Sequence, residues 1–276
     1  MTKEKETIKN ILIGADPEMF LWSEKEQRFV PVCGLVGGTK DKPLAITSKG
    51  HAVQEDNVMV EYCIPACASR NDFVDAIQFV KKHIDETILA PKGLVSKCVA
   101  SAFFRAEDLQ SEQAQHFGCD PDYNAYTFEP NIVGRGNPLL RTAGGHIHIG
   151  YDNNNPEKSF EIVKAMDLFL GLPSIILDTD TERRKMYGKA GAYRIKRYGV
   201  EYRVLSTFWT ENSQLIEWAF NSTQEAIDFV NAGGIITNEG EIQNAINTCN
   251  KEQVLDILDS YNIDVEELDE LVKTVK

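Results

Sequence analysis

The chain lacks any apolar run near the ~18 residues that a membrane-crossing helix needs. It also has no Cys-x-x-Cys pair and no G-x-x-x-x-G-K-[ST] loop to cradle phosphates. The first absence argues against a membrane partner. The second removes the commonest structural metal motif, and the six cysteines (Cys33, Cys63, Cys67, Cys98, Cys119, Cys249) show none of the density of a small secreted domain. They are expected to be reduced cytosolic thiols. The charged start Met1-Thr2-Lys3-Glu4-Lys5-Glu6 does not resemble a signal peptide, so a cytoplasmic location is expected. Basic charge is scarce as well: 29 Lys and Arg stand against 42 Asp and Glu, a net charge of −13. A nucleic-acid backbone needs a basic face, so no nucleic-acid partner is expected. Small phosphorylated ligands remain compatible, through local arginines or metals. At 276 residues and 42% hydrophobic content, the chain can bury one large core, alone or with an appendage.

Histidine is scarce too, with five in all, yet two fall together in Gly144-Gly145-His146-Ile147-His148-Ile149-Gly150. The stretch predicts a short strand entered through glycines, with His146 and His148 on one face and Ile147 and Ile149 on the other. Taken alone, it fits a half-buried strand with hydrogen-bonded imidazoles as well as it fits a ligand pair. Three other strand-like stretches also project polar residues from one face. Residues 11–22 predict a strand carrying Asp16 and Glu18, with Pro17 marking an edge or bulge. Residues 29–36 return beside it as a hairpin. Residues 53–65 predict another strand, whose odd positions put Glu55, Asn57, Met59 and Glu61 on one face. The fourth stretch, 199–206, carries Glu201 and Arg203 on one face and follows a basic, glycine-punctuated run that includes Arg184 and Arg194.

Between these lie helices at 71–89 (capped by Ser69 or Asn71), 156–172 and 212–231, and a further strand at 95–104. Residues 106–140, rich in Gly, Pro, Asn and Asp, predict a long functional loop. Gly134-x-Gly136 within it lacks the leading strand and third glycine of a dinucleotide loop. Beyond Gly233-Gly234 the composition turns acidic, and two or three small helices are expected. The division is therefore a main domain over 1–235 and a small acidic helical segment over 236–276.

Several carboxylates with an imidazole suit Mg²⁺ or Mn²⁺ rather than zinc. Arginines beside such a cluster are what phosphoryl transfer requires. The motifs Gly14-Ala15-Asp16-Pro17-Glu18, Glu61 followed by Ile64-Pro65, Gly145 to Gly150, and Arg194 through Arg203 occur in one order. Over residues 10–235 they resemble the carboxylate–amine ligases, the superfamily of glutamine synthetase and glutamate–cysteine ligase, and most of all its phage-encoded branch. The resemblance implies an α+β fold whose antiparallel sheet forms a funnel, with ATP at one mouth and two or three divalent ions at its waist. It implies metal roles for Asp16 (where glutamate is more usual), Glu18, Glu61, His146 and Glu201, with Glu55 added from its shared face. Glu61 alternatively serves the amine site. His148 would lie near the nucleotide phosphates and Arg203 near the transferred phosphate, assisted by Arg194 and Arg184.

The implied reaction is ATP-dependent amide formation: a carboxylate becomes an acyl phosphate, and an amine displaces phosphate. The acid and amine are small molecules, peptides or protein side chains, and a homo-oligomer is compatible. A phage-encoded chain would work in the host cytoplasm. Two rivals are a metal-dependent hydrolase, which would turn over without ATP, and a phage structural or binding protein on the same fold without activity.

Overall fold

The computed structural model describes residues 7–115, 122–132, 134 and 136–275. Part of the expected loop over 106–140, including Cys119 and Arg135, lies outside these residues. The strand expected over 11–22 is two strands, β1 (Leu12–Ala15) and β2 (Glu18–Ser23). Between them the backbone stays laddered on both sides. Asp16 and Glu18 donate their N–H groups to the carbonyls of His146 (3.4 Å) and Gly144 (2.9 Å), while the Pro17 carbonyl accepts from Tyr62 (3.1 Å). Proline has no N–H to offer a continuous sheet, and here it marks the joint between two sheets. The expected hairpin forms with β3 (Arg28–Val30), which is shorter than the pattern suggests, and β4 (Leu44–Ala45) follows after a loop.

Residues 53–65 are a hairpin rather than one strand. β5 (Ala52–Asp56) and β6 (Met59–Cys63) turn at Asn57 and Val58, with Asn57 at φ +54°, a region that asparagine enters more readily than most residues. Gln54 pairs with Glu61 and Asp56 with Met59. Glu61 therefore shares its face with Gln54 and Asp56, and Glu55 points to the other side.

Helix α1 (Arg70–His83) starts where Ser69 Oγ accepts the Asp72 N–H at 3.2 Å, and a wider π turn at Ile84–Leu89 extends its buried stripe. The strand expected at 95–104 splits into β7 (Leu94–Lys97), which pairs with β2, and β8 (Ser101–Phe103). Within the expected loop lie α2 (Glu112–Gln115), β9 (Tyr123–Asn124) and β10 (Leu140–Thr142), the last paired with β8. Then come β11 (Ile147–Gly150), α3 (Pro156–Met166) capped by Asn155, α4 (Pro173–Leu177), α5 (Glu182–Met186), β12 (Ala192–Lys196) and β13 (Gly199–Tyr202). The chain closes with α6 (Ser213–Asn231), α7 (Glu239–Thr248), α8 (Lys251–Ser260) and α9 (Glu266–Val272).

The architecture is α+β, with antiparallel sheets and no closed barrel. One sheet runs β1-β11-β13-β12-β9 and another β3-β2-β6-β5-β4. In the first, Ile147, Ile149, Val200 and Tyr202 are buried in the core shared with α3 and α6. Alternation sends His148 and Glu201 to the opposite face. Helices α7–α9 add Ile242, Ile246, Val254, Leu258 and Leu268 to that same core. A π turn at Asp167–Gly171 faces α7 and aims Asp167 at three donors: Tyr202 Oη (2.8 Å), Tyr126 Oη (2.9 Å) and the Gly191 N–H (2.6 Å). Among the described residues no helix is long and apolar enough to cross a membrane.

The glycines before β11 answer to close approach. A Cβ on Gly145 would press on the Ser206 carbonyl and lie 2.5 Å from Trp209 Nε1, which itself donates to the Gly145 carbonyl at 3.1 Å. Gly145→Ala is expected to destabilise the fold by about 1–3 kcal/mol, the usual scale for overpacking. Denaturant melts check this, and an unchanged midpoint would show that the strand does not need that closeness.

Candidate active site

The sheet joint gathers two groups of ligand-type side chains. Asp16, His146 and Glu201 each offer an atom within 4.8 Å of the others, and so do Glu18, Asp56 and Glu61. The groups are adjacent because Asp16 and Glu18 flank Pro17.

The first group is already neutralised by its surroundings. Glu201, 1% exposed, meets Arg203 in a direct ion pair, Lys196 at 2.6 Å, Arg194 at 3.7 Å and His146 at 3.5 Å. Burial alone would raise its carboxyl, but Arg203 and His146 outweigh it and bring it down to about 2. Asp16 behaves alike: burial opposes ionisation, while His148 at 3.0 Å and His146 at 3.4 Å hold it below the usual carboxylate range. Burial, with Arg203 nearby, lowers His146 to about 4, whereas Asp16 overcomes burial and raises His148. His148 Nδ1 also bonds the Tyr198 hydroxyl. Asp16 Oδ1 and Glu201 Oε2 are both buried and face charge rather than a full set of hydrogen bonds, His146 Nδ1 at 3.4 Å and Lys196 Nζ at 2.6 Å.

The second group has the opposite character. Among the described residues no lysine, arginine or histidine forms an ion pair with Glu18, Asp56 or Glu61. Glu18 accepts the Gly144 N–H at 2.6 Å, and Glu61 accepts Gln54 Nε2 at 2.7 Å. Burial and then Asp56 push Glu18 up to about 8. Burial, followed by Asp16 and Glu18, raises Glu61 well above the ordinary range, and Asp56 is raised mainly by burial. Crowded carboxylates that resist ionisation want a cation. Three oxygen donors with no thiolate suit Mg²⁺ or Mn²⁺.

Beside these groups opens a cavity lined by both arginine and acid. Arg141, Arg183 and Arg203 line it together with Glu18, Asp56 and Asp122, Arg203 Nε lying 3.8 Å from Asp122 Oδ2, and Met59, Leu140 and Met186 add apolar surface. Arg183 donates to the carbonyls of Val204 (2.8 Å) and Arg203 (3.3 Å), and so fixes the backbone that carries Arg203.

Of the residues singled out in the sequence, Asp16, Glu18, Glu61, His146, His148, Arg194, Glu201 and Arg203 gather at the joint. Glu55 and Arg184 do not. Glu55 accepts the N–H groups of Gly34 (2.8 Å), Val36 (2.9 Å) and Gly37 (2.7 Å), so it is committed to a loop. Arg184 is buried elsewhere, donating to Ser174 Oγ (2.6 Å) and the Gly188 carbonyl (2.7 Å). Sequence reasoning missed Asp56, Lys196, Asp122, Arg141 and Arg183. Asp56 was within reach, because Asp-Asn between two alternating runs is a turn signal that reverses the parity of the face. For Arg183 over Arg184 no local signal exists.

One cavity is thus lined by carboxylates and guanidinium groups together. Residues 136–275, just over half of the chain, match the family described as Phage phiEco32-like COOH.NH2 ligase-type 2. The chain belongs to that family of carboxylate–amine ligases. Among solved structures, a bifunctional glutathione synthetase from Pasteurella multocida is similar over 95% of this chain at 12% identity and a TM-score of 0.45. The matched part is 46% of that protein, so this chain spans less than half its length. No curated protein matches the chain.

Two expectations follow from the site. Asp56→Asn should weaken Mn²⁺ binding on the order of tenfold or more, the scale for removing a metal contact, whereas Glu55→Gln should leave binding of the ion alone nearly unchanged. Paramagnetic titration separates them, and equal effects would return Glu55 to the ligand set. The second concerns pH. Glu18 has a folded pKa raised from 4.5 to about 8, so its contribution favours folding at low pH and is lost as pH rises across that window. In chelator, the melting temperature of Glu18→Gln minus that of the parent should increase from pH 5 to pH 8. A pH-independent difference would contradict the charge crowding.

Proposed function

We propose that this chain is an ATP-dependent ligase that joins a carboxylate to an amine through an acyl phosphate, with Mg²⁺ or Mn²⁺. The observation that carries the proposal is the contrast at the joint: Glu18, Asp56 and Glu61, which among the described residues make no ion pair and resist ionisation, lie beside a cavity lined by Arg141, Arg183 and Arg203. Family membership supports the reaction class. The bent antiparallel wall is compatible with a glutamine-synthetase-like funnel, which belongs to the same proposal.

Glu18, Asp56 and Glu61 would hold one divalent ion, and Asp16, His146 and Glu201 a second. A bound ion supplies the positive charge that lets a polyphosphate approach acidic side chains. At Asp16, His146 and Glu201, Arg203 pairs with the Glu201 carboxylate, so an ion held there would compete with that guanidinium. Arg203 then spreads the charge of the phosphoryl group as it passes to the substrate carboxylate, and Arg183 keeps its backbone in register. Arg194 and Lys196 remain beside Glu201 and hold its carboxylate in place. His148, locked between Tyr198 and Asp16, presents its ring next to the first group. Were Glu61 to serve the amine instead of the ion, its carboxylate would take the proton that the incoming amine releases. The amine displaces phosphate, leaving an amide, ADP and inorganic phosphate. The work is positioning and electrostatics, which accords with the absence of any nucleophilic Ser or Cys motif.

Incubation with Mg²⁺, ATP and a pool of amino acids, with ADP and product masses as readout, tests the reading. ADP formation that depends on both an acid and an amine is expected. Turnover of amides or esters without ATP would overturn it in favour of a hydrolase. Arg203→Lys should keep Mg²⁺–ATP binding within a few-fold while lowering ADP release on the order of 10²-fold, because lysine loses the planar fork. Loss of binding and turnover in parallel would deny the transition-state role.

A further inference from the structure

Asp122 lines the same cavity as Arg203, yet the chemistry above gives it no task. It is buried, and its Oδ2 lies 3.8 Å from Arg203 Nε, while Glu201 meets the same guanidinium at Nη1. Two carboxylates therefore approach one arginine at different nitrogens. The sheet explains the placement. Tyr123 and Asn124 of β9 pair with Tyr193 and Ala192 of β12, so the next step of that register brings Asp122 beside Arg194. Arg194 in turn pairs with Glu201 on β13. Alternation then puts Asp122, Arg194, Glu201 and Arg203 on one face of the sheet, with Tyr123, Tyr193 and Tyr202 on the other.

The segment that carries Asp122 is short of sheet pairing, because β9 is two residues long, but it is fastened from behind. Residues 122–131 close on themselves: the Asn131 N–H donates to the Asp122 carbonyl and the Asn124 N–H to the Glu129 carbonyl, both at 2.9 Å. Three further bonds tie this loop down. The Ala125 N–H donates to the Gly191 carbonyl (2.9 Å), Asn124 Nδ2 to the Ala190 carbonyl (3.1 Å) and Tyr126 Oη to Asp167 (2.9 Å). A Cβ on Gly191 would lie 2.7 Å from the Tyr126 ring, so the contact is close. Asp167 also accepts from the Gly191 N–H and from Tyr202, the residue between Glu201 and Arg203. One buried carboxylate behind the sheet thus joins the segments that carry Asp122, Arg194 and Arg203 on its front.

We propose that Asp122 is a positioning residue that holds the Arg203 guanidinium at the cavity, and that Tyr126 and Asp167 strap the Asp122 loop in place from behind the sheet. The proposal rests on the ligase reading of that cavity. A guanidinium gripped at one nitrogen can swing about its stem, whereas carboxylates at both Nη1 and Nε fix its plane. The difference matters most when Glu201 is contested. An ion held by Glu201 would compete for the carboxylate that grips Nη1, and Asp122 then keeps the arginine facing the phosphoryl group. Among the described residues Asp122 lies in neither of the two groups with cation-binding spacing, so it stays committed to Arg203.

The test uses the full chain carrying isotope-labelled arginine, with Arg203→Lys identifying the Arg203 Nε–H signal by its disappearance. In metal-free protein, Asp122→Asn should speed exchange of that proton with solvent by roughly tenfold, the scale of a lost contact to a charged group. Asp122→Glu should restore most of the protection. With Mg²⁺ and substrates, Asp122→Asn should lower kcat for ADP release roughly ten- to hundredfold, as loss of a supporting partner does at comparable sites. Its affinity for Mg²⁺–ATP, read by calorimetry, should stay within a few-fold of the parent. Tyr126→Phe should speed amide exchange over residues 123–131 and lower kcat less than Asp122→Asn does. The Asp122→Asn/Tyr126→Phe pair should be no worse than Asp122→Asn alone, because both act through one contact. An Arg203 Nε–H equally protected in Asp122→Asn and parent would overturn the positioning role. So would parallel loss of affinity and turnover, which would make Asp122 part of nucleotide binding. Losses that multiply in the pair would refute the strap. A parent that neither binds Mg²⁺–ATP nor releases ADP would instead refute the ligase reading, and the Nε–H exchange would still decide whether Asp122 holds Arg203.

Discussion

Two sheets meet where β1 passes into β2, and that joint holds Asp16 and Glu18 two residues apart, Glu18 buried and Asp16 largely so. Carboxylates held that close in low dielectric either find countercharge or stay protonated. The protein uses both solutions side by side. Asp16 is surrounded by imidazoles and lies next to Glu201 with its arginine and lysine partners, whereas Glu18 lies among acids and is pushed up to about 8. The surrounding architecture serves this arrangement. Isoleucines on the far face of β11 bury it against α3 and α6, glycines at 144 and 145 let its backbone approach Glu18 and Trp209, and Arg183 braces the segment after β13.

Much of this was legible in the sequence because period-2 alternation survives wherever a strand is straight. His146 and His148 opposite Ile147 and Ile149, and Glu201 beside Arg203, have the placement their spacing implies. Helices α1, α3 and α6 likewise follow their apolar stripes, with Ser69, Asn155 and Asn212 as caps. Legibility failed where the chain bends. The parity argument carried Glu55 to the same face as Glu61 only by running through the turn at Asn57 and Val58. Pro17 announced an interruption, but a single proline cannot tell an edge from a strand that changes sheets. Arg184 and Arg183 are equally basic neighbours on one short helix. The choice between them is made by Ser174 and Gly188 on one side and by the carbonyls of residues 203 and 204 on the other, contacts that are distant in sequence.

The acidic carboxyl-terminal segment illustrates a different limit. Its charge suggests a separate appendage, and Glu239, Glu252, Asp259 and Glu267 do face outward or lie near the surface. Yet its apolar positions complete the core behind the sheet, and α7 faces the turn that holds Asp167 against Tyr126 and Tyr202. Composition reports the solvent side of a helix. Only its periodicity, and what that stripe meets, reports the other side.

The ion pair between Arg203 and Glu201 has a consequence for how the molecule matures. In many small metal-binding domains, unfolded ligands wait for the ion, and chelation unfolds the product. Here Arg203 and Lys196 supply positive charge to Glu201 from the chain itself, so β13 closes against β11 on charges that the sequence already carries. An ion that entered by the proposed chemistry would meet a site already folded.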